Sequence, residues 1–191
     1  MILKSDIAEN KIFVLNNILS EQELTEYWFQ ANSCGYTYTQ GSTRLSNKNH
    51  RRLAYHFPLG EPCPDKPDVP WNPGFVNTTP WGKIEKLFQD PIGLLSAYIN
   101  YSELSSRSLA HSDGIINEPS VLICLNEHWD RDWGGYTVFF KGMNSDEIVK
   151  AVCPVPGQII IFNGFNWHLA LPPTIYAQVP RFMLALKLKY I

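Results

Sequence analysis

Charge is scarce in this chain. Asp, Glu, Lys and Arg make up 18% of its 191 residues, and the formal net charge is -2; globular chains usually carry about a quarter. Nothing in that balance calls for nucleic acid or an anionic membrane as a partner. Long apolar runs are missing too, and none reaches the roughly 20 residues that a membrane span needs. The N-terminus, Met1-Ile2-Leu3-Lys4-Ser5-Asp6, has charges where a secretory signal needs an unbroken apolar region, which argues against secretion. Cysteine is sparse. Cys34, Cys63, Cys124 and Cys153 are far apart and form no Cys-x-x-Cys, so they read as reduced thiols of a cytoplasmic protein. Cys124 and Cys153 stand in apolar, strand-like contexts that suit small core residues. No internal repeat or low-complexity tract is present.

Hydrophobic residues make up 45% of the chain, enough for one domain with a proper core and short for two. Ile12-Phe13-Val14-Leu15 reads as a short strand. Ser20 with Glu23 three positions on is the capping-box pattern of a helix start, and Leu24, Tyr27, Trp28 and Ala31 give that helix an apolar stripe. Half of the 14 prolines fall between residues 58 and 80, which excludes regular helix or central strand there. The segment is either a surface connection or a stiff lid over a pocket. The neighbouring aromatics Trp71, Phe75 and Trp81 suit either core anchors or the wall of a substrate entrance. Thr79-Pro80 then predicts a cap and first helical residue opening a helix through Phe88. The basic run Arg44, Lys48, His50, Arg51 and Arg52 reads as a solvated loop, the sharper alternative being a contact for an acidic substrate.

From Gly93 onward the chain turns β-rich. Strands are expected over Leu94–Ile99, Leu109–Asp113, Ser120–Leu125, Tyr136–Lys141, Ile148–Val152, Gln158–Phe162 and Arg181–Lys189. Such spacing suggests a β-sandwich or jelly roll. The fold class is α+β, mainly β. Residues 1–191 form a single domain, in which 1–92 supply helical support and a lid and 93–191 the β-rich core. Alternation along the last strand puts Arg181, Met183, Ala185 and Lys187 on one face and Phe182, Leu184, Leu186 and Leu188 on the other. The apolar face needs a cover, and the N-terminal helices are available. Arg181 then points inward, where a buried guanidinium needs an anionic partner.

Chemistry concentrates at His111-Ser112-Asp113. Residues i and i+2 of a strand share a face, so His111 and Asp113 can bind one ion together. His168, placed at a strand end beside the turn-forming Pro172-Pro173, can return to it. Two nitrogens and one carboxylate leave open positions on an octahedral Fe(II), suited to a bidentate keto-acid and dioxygen. His-x-Asp alone also fits a capping histidine and an Asp113-Gly114 turn. His50, His56 and His128 have no comparable setting and read as structural.

The C-terminal half, Leu94 to Tyr190, resembles the Fe(II)- and 2-oxoglutarate-dependent oxygenases, in particular the prolyl-4-hydroxylase-like branch. Tyr98-Ile99-Asn100, His111-Ser112-Asp113, Leu125-Asn126-Glu127-His128-Trp129, Trp133-Gly134-Gly135-Tyr136-Thr137-Val138-Phe139-Phe140 and Pro156-Gly157-Gln158-Ile159-Ile160-Ile161-Phe162 come in the family's order, closed by His168 and Arg181. The resemblance implies a double-stranded β-helix (a distorted jelly roll) with the N-terminal helices packed on the outer face of one sheet. It implies that His111, Asp113 and His168 hold Fe(II) and that Arg181 binds the distal carboxylate of 2-oxoglutarate. Tyr98 is the expected further donor to that carboxylate, with Tyr101 competing; Asn100 and Thr137 are expected pocket residues. Some relatives have a tyrosine where Cys124 stands here. Retention of Asp113 implies hydroxylation rather than halogenation. The expected activity is oxygen-dependent hydroxylation of a C–H bond with release of succinate and CO2, ascorbate being an accessory compound that the resemblance admits. The substrate is a small molecule or a protein, a prolyl residue included. Two other classes fit the same residues: a cupin-like metalloenzyme without the keto-acid, and a non-catalytic jelly-roll binding module.

Overall fold

A computed structural model describes residues 1–40, 51–56, 62–63, 66–70, 80–106, 108–114 and 116–191. For residues 37–40, 51–53, 56, 62–63 and 66–70 the backbone alone is described. In chain order the elements are α1 (Lys4–Ala8), β1 (Phe13–Leu15), α2 (Glu21–Ser33), β2 (Thr37–Gln40), β3 (Arg51–His56), β4 (Pro62–Cys63), β5 (Lys66–Pro70), α3 (Trp81–Glu85) and β6 (Ile92–Ser102). There follow β7 (Pro119–Cys124), a 3-10 turn (Arg131–Trp133), β8 (Thr137–Phe140), β9 (Ile148–Val152), β10 (Ile159–Asn163), β11 (His168–Ala170) and β12 (Arg181–Tyr190).

Seven strands form one sheet in the order β1-β10-β7-β12-β6-β3-β2, and three form a second in the order β11-β8-β9. All of these pairings are antiparallel, with β12 central between β6 and β7. The large sheet buries both of its faces. On one, Phe182, Leu184, Leu186 and Leu188 of β12 join Ala97 and Ile99 of β6 and Val121 and Ile123 of β7. Ile7 of α1, Ala31 of α2 and Trp81 and Ile84 of α3 cover that face. On the other, Met183 and Ala185 pack with Leu122, Cys124, Ile160 and Phe162 against Phe139 and Val152 of the small sheet. Helices outside and a second sheet inside are what the alternation of the last strand requires, because a two-sided sheet leaves neither face in water.

The α2 cap forms as its sequence predicts. Ser20 Oγ accepts from the Glu23 N–H at 3.2 Å, and Glu23 accepts from the Ser20 N–H at 2.7 Å. Glu23 also pairs with Lys83 of α3 at 2.7 Å, tying the two covering helices together. Trp28 of α2 meets Phe182 edge-on, ring centroids 5.3 Å apart. Trp81 is a core anchor of α3, buried among these residues.

Three expectations are corrected. Arg51 and Arg52 do not belong to a loop: they open β3 and pair with Gln40 and Thr39 of β2. The helix after the proline-rich segment ends at Glu85 rather than Phe88, and Pro80 is its cap residue; Phe88 instead folds into the core, and Gln89 N–H donates to the Ile2 carbonyl. Leu109–Asp113 is not a strand. His111 makes an isolated bridge to His168, and the chain then turns through Gly114 at φ 81. Glycine suits that left-handed turn, and the departing backbone has no ladder to continue. Most of the proline-rich segment 58–80, Trp71, Phe75 and Thr79 with it, lies outside the described residues, as do Arg44, Lys48 and His50.

Candidate metal centre

Backbone hydrogen bonds bring the three candidate ligands together. His111 and His168 exchange both of theirs, at 2.9 and 2.8 Å, and the Asp113 N–H donates to the Gly164 carbonyl at 2.8 Å in the turn after β10. His168 starts β11, and His111 and Asp113 extend beside it, one residue apart and facing the same way. The ligand atoms of His111, Asp113 and His168 all lie within 4.8 Å of one another, with His111 Nε2 3.9 Å from Asp113 Oδ1.

Both imidazoles present Nε2 to this point. His111 Nδ1 lies 2.8 Å from the Leu109 carbonyl and His168 Nδ1 3.0 Å from the Asn166 carbonyl. A carbonyl only accepts, so each Nδ1 carries the proton and each Nε2 keeps its lone pair, the tautomer that a metal needs. Burial, reinforced by His168, lowers the His111 pKa to about 4. Burial lowers that of His168 as well. Both are neutral at pH 7.

Asp113 is held in the opposite state. Burial alone would favour its protonated form, but the Lys187 charge, then His168 and hydrogen bonds from Lys187 and Ser120, outweigh it and keep the carboxylate ionised. Ser120 Oγ donates to Asp113 Oδ2 at 2.6 Å, and the Lys187 ammonium contacts the same oxygen. Oδ1 is the oxygen turned toward His111. Ser120 and Lys187 are cross-strand neighbours on β7 and β12. Parity alone puts Lys187 on the inner face with Arg181; its tie to Asp113 depends on a loop whose path no periodicity shows.

Arg181 opens β12 at 2% exposure. One guanidinium nitrogen donates to Thr137 Oγ1 at 2.8 Å, and Nε has no hydrogen-bond partner. Burial lowers its pKa to about 10, so it remains a cation. Room for the arginine stem comes from Gly135, at φ 72. A Cβ there would stand 3.1 Å from Arg181 Cδ and 3.0 Å from the Trp129 ring. Asn126, fully buried, accepts from the Phe182 N–H and donates to the Pro180 carbonyl, both at 2.8 Å. It thereby fixes the backbone on each side of Arg181. Its place in the Leu125–Trp129 turn is visible in the sequence, whereas its two partners, more than fifty residues away, are not.

The triad, Arg181, Lys187, Tyr98, Asn100 and Thr137 all line one pocket. Register separates the candidates along it. Arg181 pairs with Ser102, Met183 with Asn100 and Ala185 with Tyr98. Asn100 therefore stands near Arg181, and its buried Oδ1 has no partner. Tyr98 stands toward the other end, with the Lys187 ammonium 5.9 Å from its ring centroid. The Tyr101 ring faces the helices, packing on Phe182 at 5.6 Å, and its hydroxyl donates to Glu103. Cys124 is buried beside Met183, and burial raises its thiol pKa to about 11. His128 packs edge-on against Trp133.

The unpartnered Arg181 Nε–H fits a ligand with a carboxylate at that end of the pocket, whereas the unpartnered Asn100 Oδ1 accepts only and calls for a donor. Two neutral nitrogens and one carboxylate oxygen fit a first-row divalent ion with positions to spare.

No protein-family model matches the chain, and no curated protein matches it. Solved structures do. A prolyl hydroxylase from Trichoplax adhaerens, in complex with a hypoxia inducible factor oxygen degradation domain peptide fragment, superposes with a TM-score of 0.67 at 18% identity, covering 98% of this chain and 87% of that one. A prolyl-4-hydroxylase from Pseudomonas putida gives 0.63 at 14% identity, covering 98% and 97%. A non-heme α-ketoglutarate-dependent epimerase from nogalamycin biosynthesis gives 0.68 at 11% identity, covering 98% and 83%. The likeness is one of fold. The two facing sheets are the double-stranded β-helix that these oxygenases share. No helix among the described residues is long and apolar enough to cross a membrane.

Proposed function

We propose that this chain is an Fe(II)- and 2-oxoglutarate-dependent dioxygenase that hydroxylates a C–H bond and releases succinate and CO2. One observation carries the reading. A single pocket holds a cluster of two imidazoles and one carboxylate together with a buried guanidinium whose Nε lacks a partner. A cupin-like metal site has no use for that guanidinium, and a binding module has no use for the cluster.

His111 Nε2, His168 Nε2 and Asp113 would hold the iron. Bound there, iron and the 2-oxo acid supply the oxidation of a C–H bond by dioxygen, coupled to decarboxylation. The protein's part is geometry. The Leu109 and Asn166 carbonyls hold each Nδ1–H, so the imidazoles keep their aim. Arg181 takes the distal carboxylate of 2-oxoglutarate in a two-pronged grip that a lysine cannot reproduce. Thr137 holds one of its nitrogens in place, and Asn100 adds an amide at the same end. Leu122 and Met183 form an apolar wall that excludes water from the reacting centre, and Tyr98 supplies a further hydroxyl donor to the co-substrate. Residues 93–191 serve as the catalytic core, and 1–92 as its support, within one domain. The free thiols of Cys34, Cys124 and Cys153 suit a cytoplasmic setting. The neighbours in fold include prolyl hydroxylases and an epimerase, so fold does not choose the substrate; a prolyl residue in a protein is one candidate.

The test is succinate release from 2-oxoglutarate by the purified protein. It should require Fe(II) and vanish in His111→Ala. Arg181→Ala should weaken 2-oxoglutarate about 10–100-fold, as loss of hydrogen bonds to a charged group does. Metal binding by the wild-type protein with no turnover of 2-oxoglutarate would favour the cupin-like reading, and full turnover in Arg181→Ala would remove Arg181 from the co-substrate site. Binding of neither iron nor 2-oxoglutarate would end the proposal.

A further inference from the structure

Asn163 ends β10 at 2% exposure and lies outside the residues that line the pocket. Its side chain nevertheless uses every bonding position that it has. Oδ1 accepts from the Asn117 N–H at 3.1 Å and from the Phe165 N–H at 3.0 Å. Nδ2 donates to the Ile7 carbonyl and to Asn10 Oδ1, both at 3.0 Å, with a longer third contact of 3.4 Å to Asn117 Oδ1. Two N–H groups on one side and a carbonyl on the other fix the orientation of the amide, because the flipped form would set donor against donor. Three segments distant in sequence thus meet on one side chain: the end of α1, the loop after Asp113 and the turn after β10.

That turn carries two of the candidate metal ligands. Within it the Asn166 N–H donates to the Asn163 carbonyl at 2.8 Å, and the Gly164 N–H donates to the Glu118 carbonyl at 2.7 Å. Its other two carbonyls go to the ligands. Gly164 accepts from the Asp113 N–H at 2.8 Å, and Asn166 faces His168 Nδ1 at 3.0 Å. Both asparagine partners of Asn163 are strained. Asn10 and Asn117 have φ of 59 and 61, and among the described residues one other non-glycine position has a positive φ. Asparagine visits that conformation more readily than most residues, but the conformation persists only where its surroundings enforce it. An apolar residue could end β10 without any of this network. What the amide adds is the shape of the turn.

We propose that Asn163 is a positioning residue for the metal centre: it ties the turn 163–166 to the end of α1, so that the Gly164 and Asn166 carbonyls aim Asp113 and His168. The inference rests on the metal reading of His111, Asp113 and His168. Asn126 does the corresponding work for Arg181 at the other end of the pocket.

The test uses Mn(II) and Co(II) as metal probes on the wild-type protein, Asn163→Ala and Leu186→Ala, the last a control destabilised in the outer core. Circular dichroism and the thermal midpoint establish that each protein is folded. Mn(II) affinity is read by electron paramagnetic resonance and the Co(II) ligand field by visible absorption, neither of which needs turnover. Asn163→Ala should bind Mn(II) about 10-fold more weakly than wild type, the lower end of what loss of a ligand's hydrogen-bonded support costs, and its Co(II) bands should shift. Leu186→Ala should keep the wild-type bands and an Mn(II) affinity within about twofold, because its site is independent. Wild-type affinity and bands in Asn163→Ala overturn the proposal. So does the same shift in Leu186→Ala, which would make it a consequence of lost stability. Where Asn163→Ala does not fold, the double variant Asn10→Gly with Asn117→Gly decides, since glycine keeps the positive φ at both positions and removes two acceptors of Nδ2. It should shift the Co(II) bands and weaken Mn(II) about threefold, the net worth of one hydrogen bond; unchanged bands and affinity overturn the proposal. Failure of wild type to bind Mn(II) at all overturns the metal reading instead, and the proposal with it.

Discussion

The two faces of β12 divide the labour of the molecule. Its outer residues, Phe182, Leu184, Leu186 and Leu188, are at most 2% exposed and lie under the helices. Its inner residues include Arg181 and Lys187, each held by a named polar partner. Burial on the outer face needs only apolar volume of about the right shape. On the inner face each charge is tolerable only because of one particular atom opposite it. Stability and chemistry are thus separated by a single residue of register, and the strand can be altered on one side with little effect on the other.

The strongest test of that separation is Leu186→Ala. Leu186 is fully buried, and truncation of such a leucine removes about 2–5 kcal/mol through lost burial and a residual cavity. The urea midpoint should fall accordingly. Mn(II) and 2-oxoglutarate affinities of the folded protein should stay within about twofold, because Leu186 touches only the helix side. A loss of metal affinity matching the loss of stability would break the division.

The inner face makes the converse prediction, a pH dependence that the outer face lacks. His111 is lowered from 6.5 to about 4, chiefly by burial. Between those values the unfolded chain takes up a proton that the folded chain refuses. The metal-free protein therefore loses stability as pH falls from about 6.5 to about 4, and the contribution is complete above that window. Each tenfold difference in proton affinity between the two states is worth about 1.4 kcal/mol, so the effect is on the order of 3 kcal/mol. His168 acts in the same direction. Urea midpoints across this range check it. His111→Gln should flatten the slope, and Leu186→Ala should lower the whole curve without changing its shape.

This same contrast explains what could be read in advance. Every repeated pattern was legible. The β12 alternation, the α2 capping box and the strands Ile148–Val152 and Arg181–Lys189 depend on neighbours in sequence, and they appear at or within a residue of the expected bounds. The union of His111, Asp113 and His168 was legible as well, though not for the reason first available. Their shared facing comes from one bridge and one hydrogen bond to Gly164, not from a strand over Leu109–Asp113. What periodicity could not show are pairings that a loop decides. Lys187 meets Asp113 across 74 residues of chain, and Asn126 brackets Arg181 through partners 54 and 56 residues away. Tyr98 illustrates the limit within a correct strand. Its inward direction follows from parity, but its distance from Arg181 depends on the β6–β12 register, in which it pairs with Ala185.

The smallest expected effect probes how far the outer layer can be loosened before the site responds. Ser20 is exposed, and its hydroxyl satisfies one N–H of α2. Removal of such a cap in Ser20→Ala destabilises by about 1 kcal/mol, whereas Ser20→Gly loses only a few tenths. The loss in Ser20→Ala is cushioned on one side, because Lys83 continues to hold Glu23 and to donate to the Ile18 carbonyl at 2.8 Å. Helix α2 reaches the pocket through Trp28 on Phe182 and through Thr25, whose hydroxyl donates to Glu127 beside Asn126 at 2.8 Å, both beyond its first turn. Phe182 in turn is held by Asn126 through its own N–H, a bond that uses no atom of the first turn of α2. A frayed first turn of α2 should therefore lower the thermal midpoint slightly and leave 2-oxoglutarate affinity unchanged. A measurable change in that affinity would mean that the aim of Arg181 depends on the helical cover as well as on Asn126, and the two faces of β12 would be mechanically coupled.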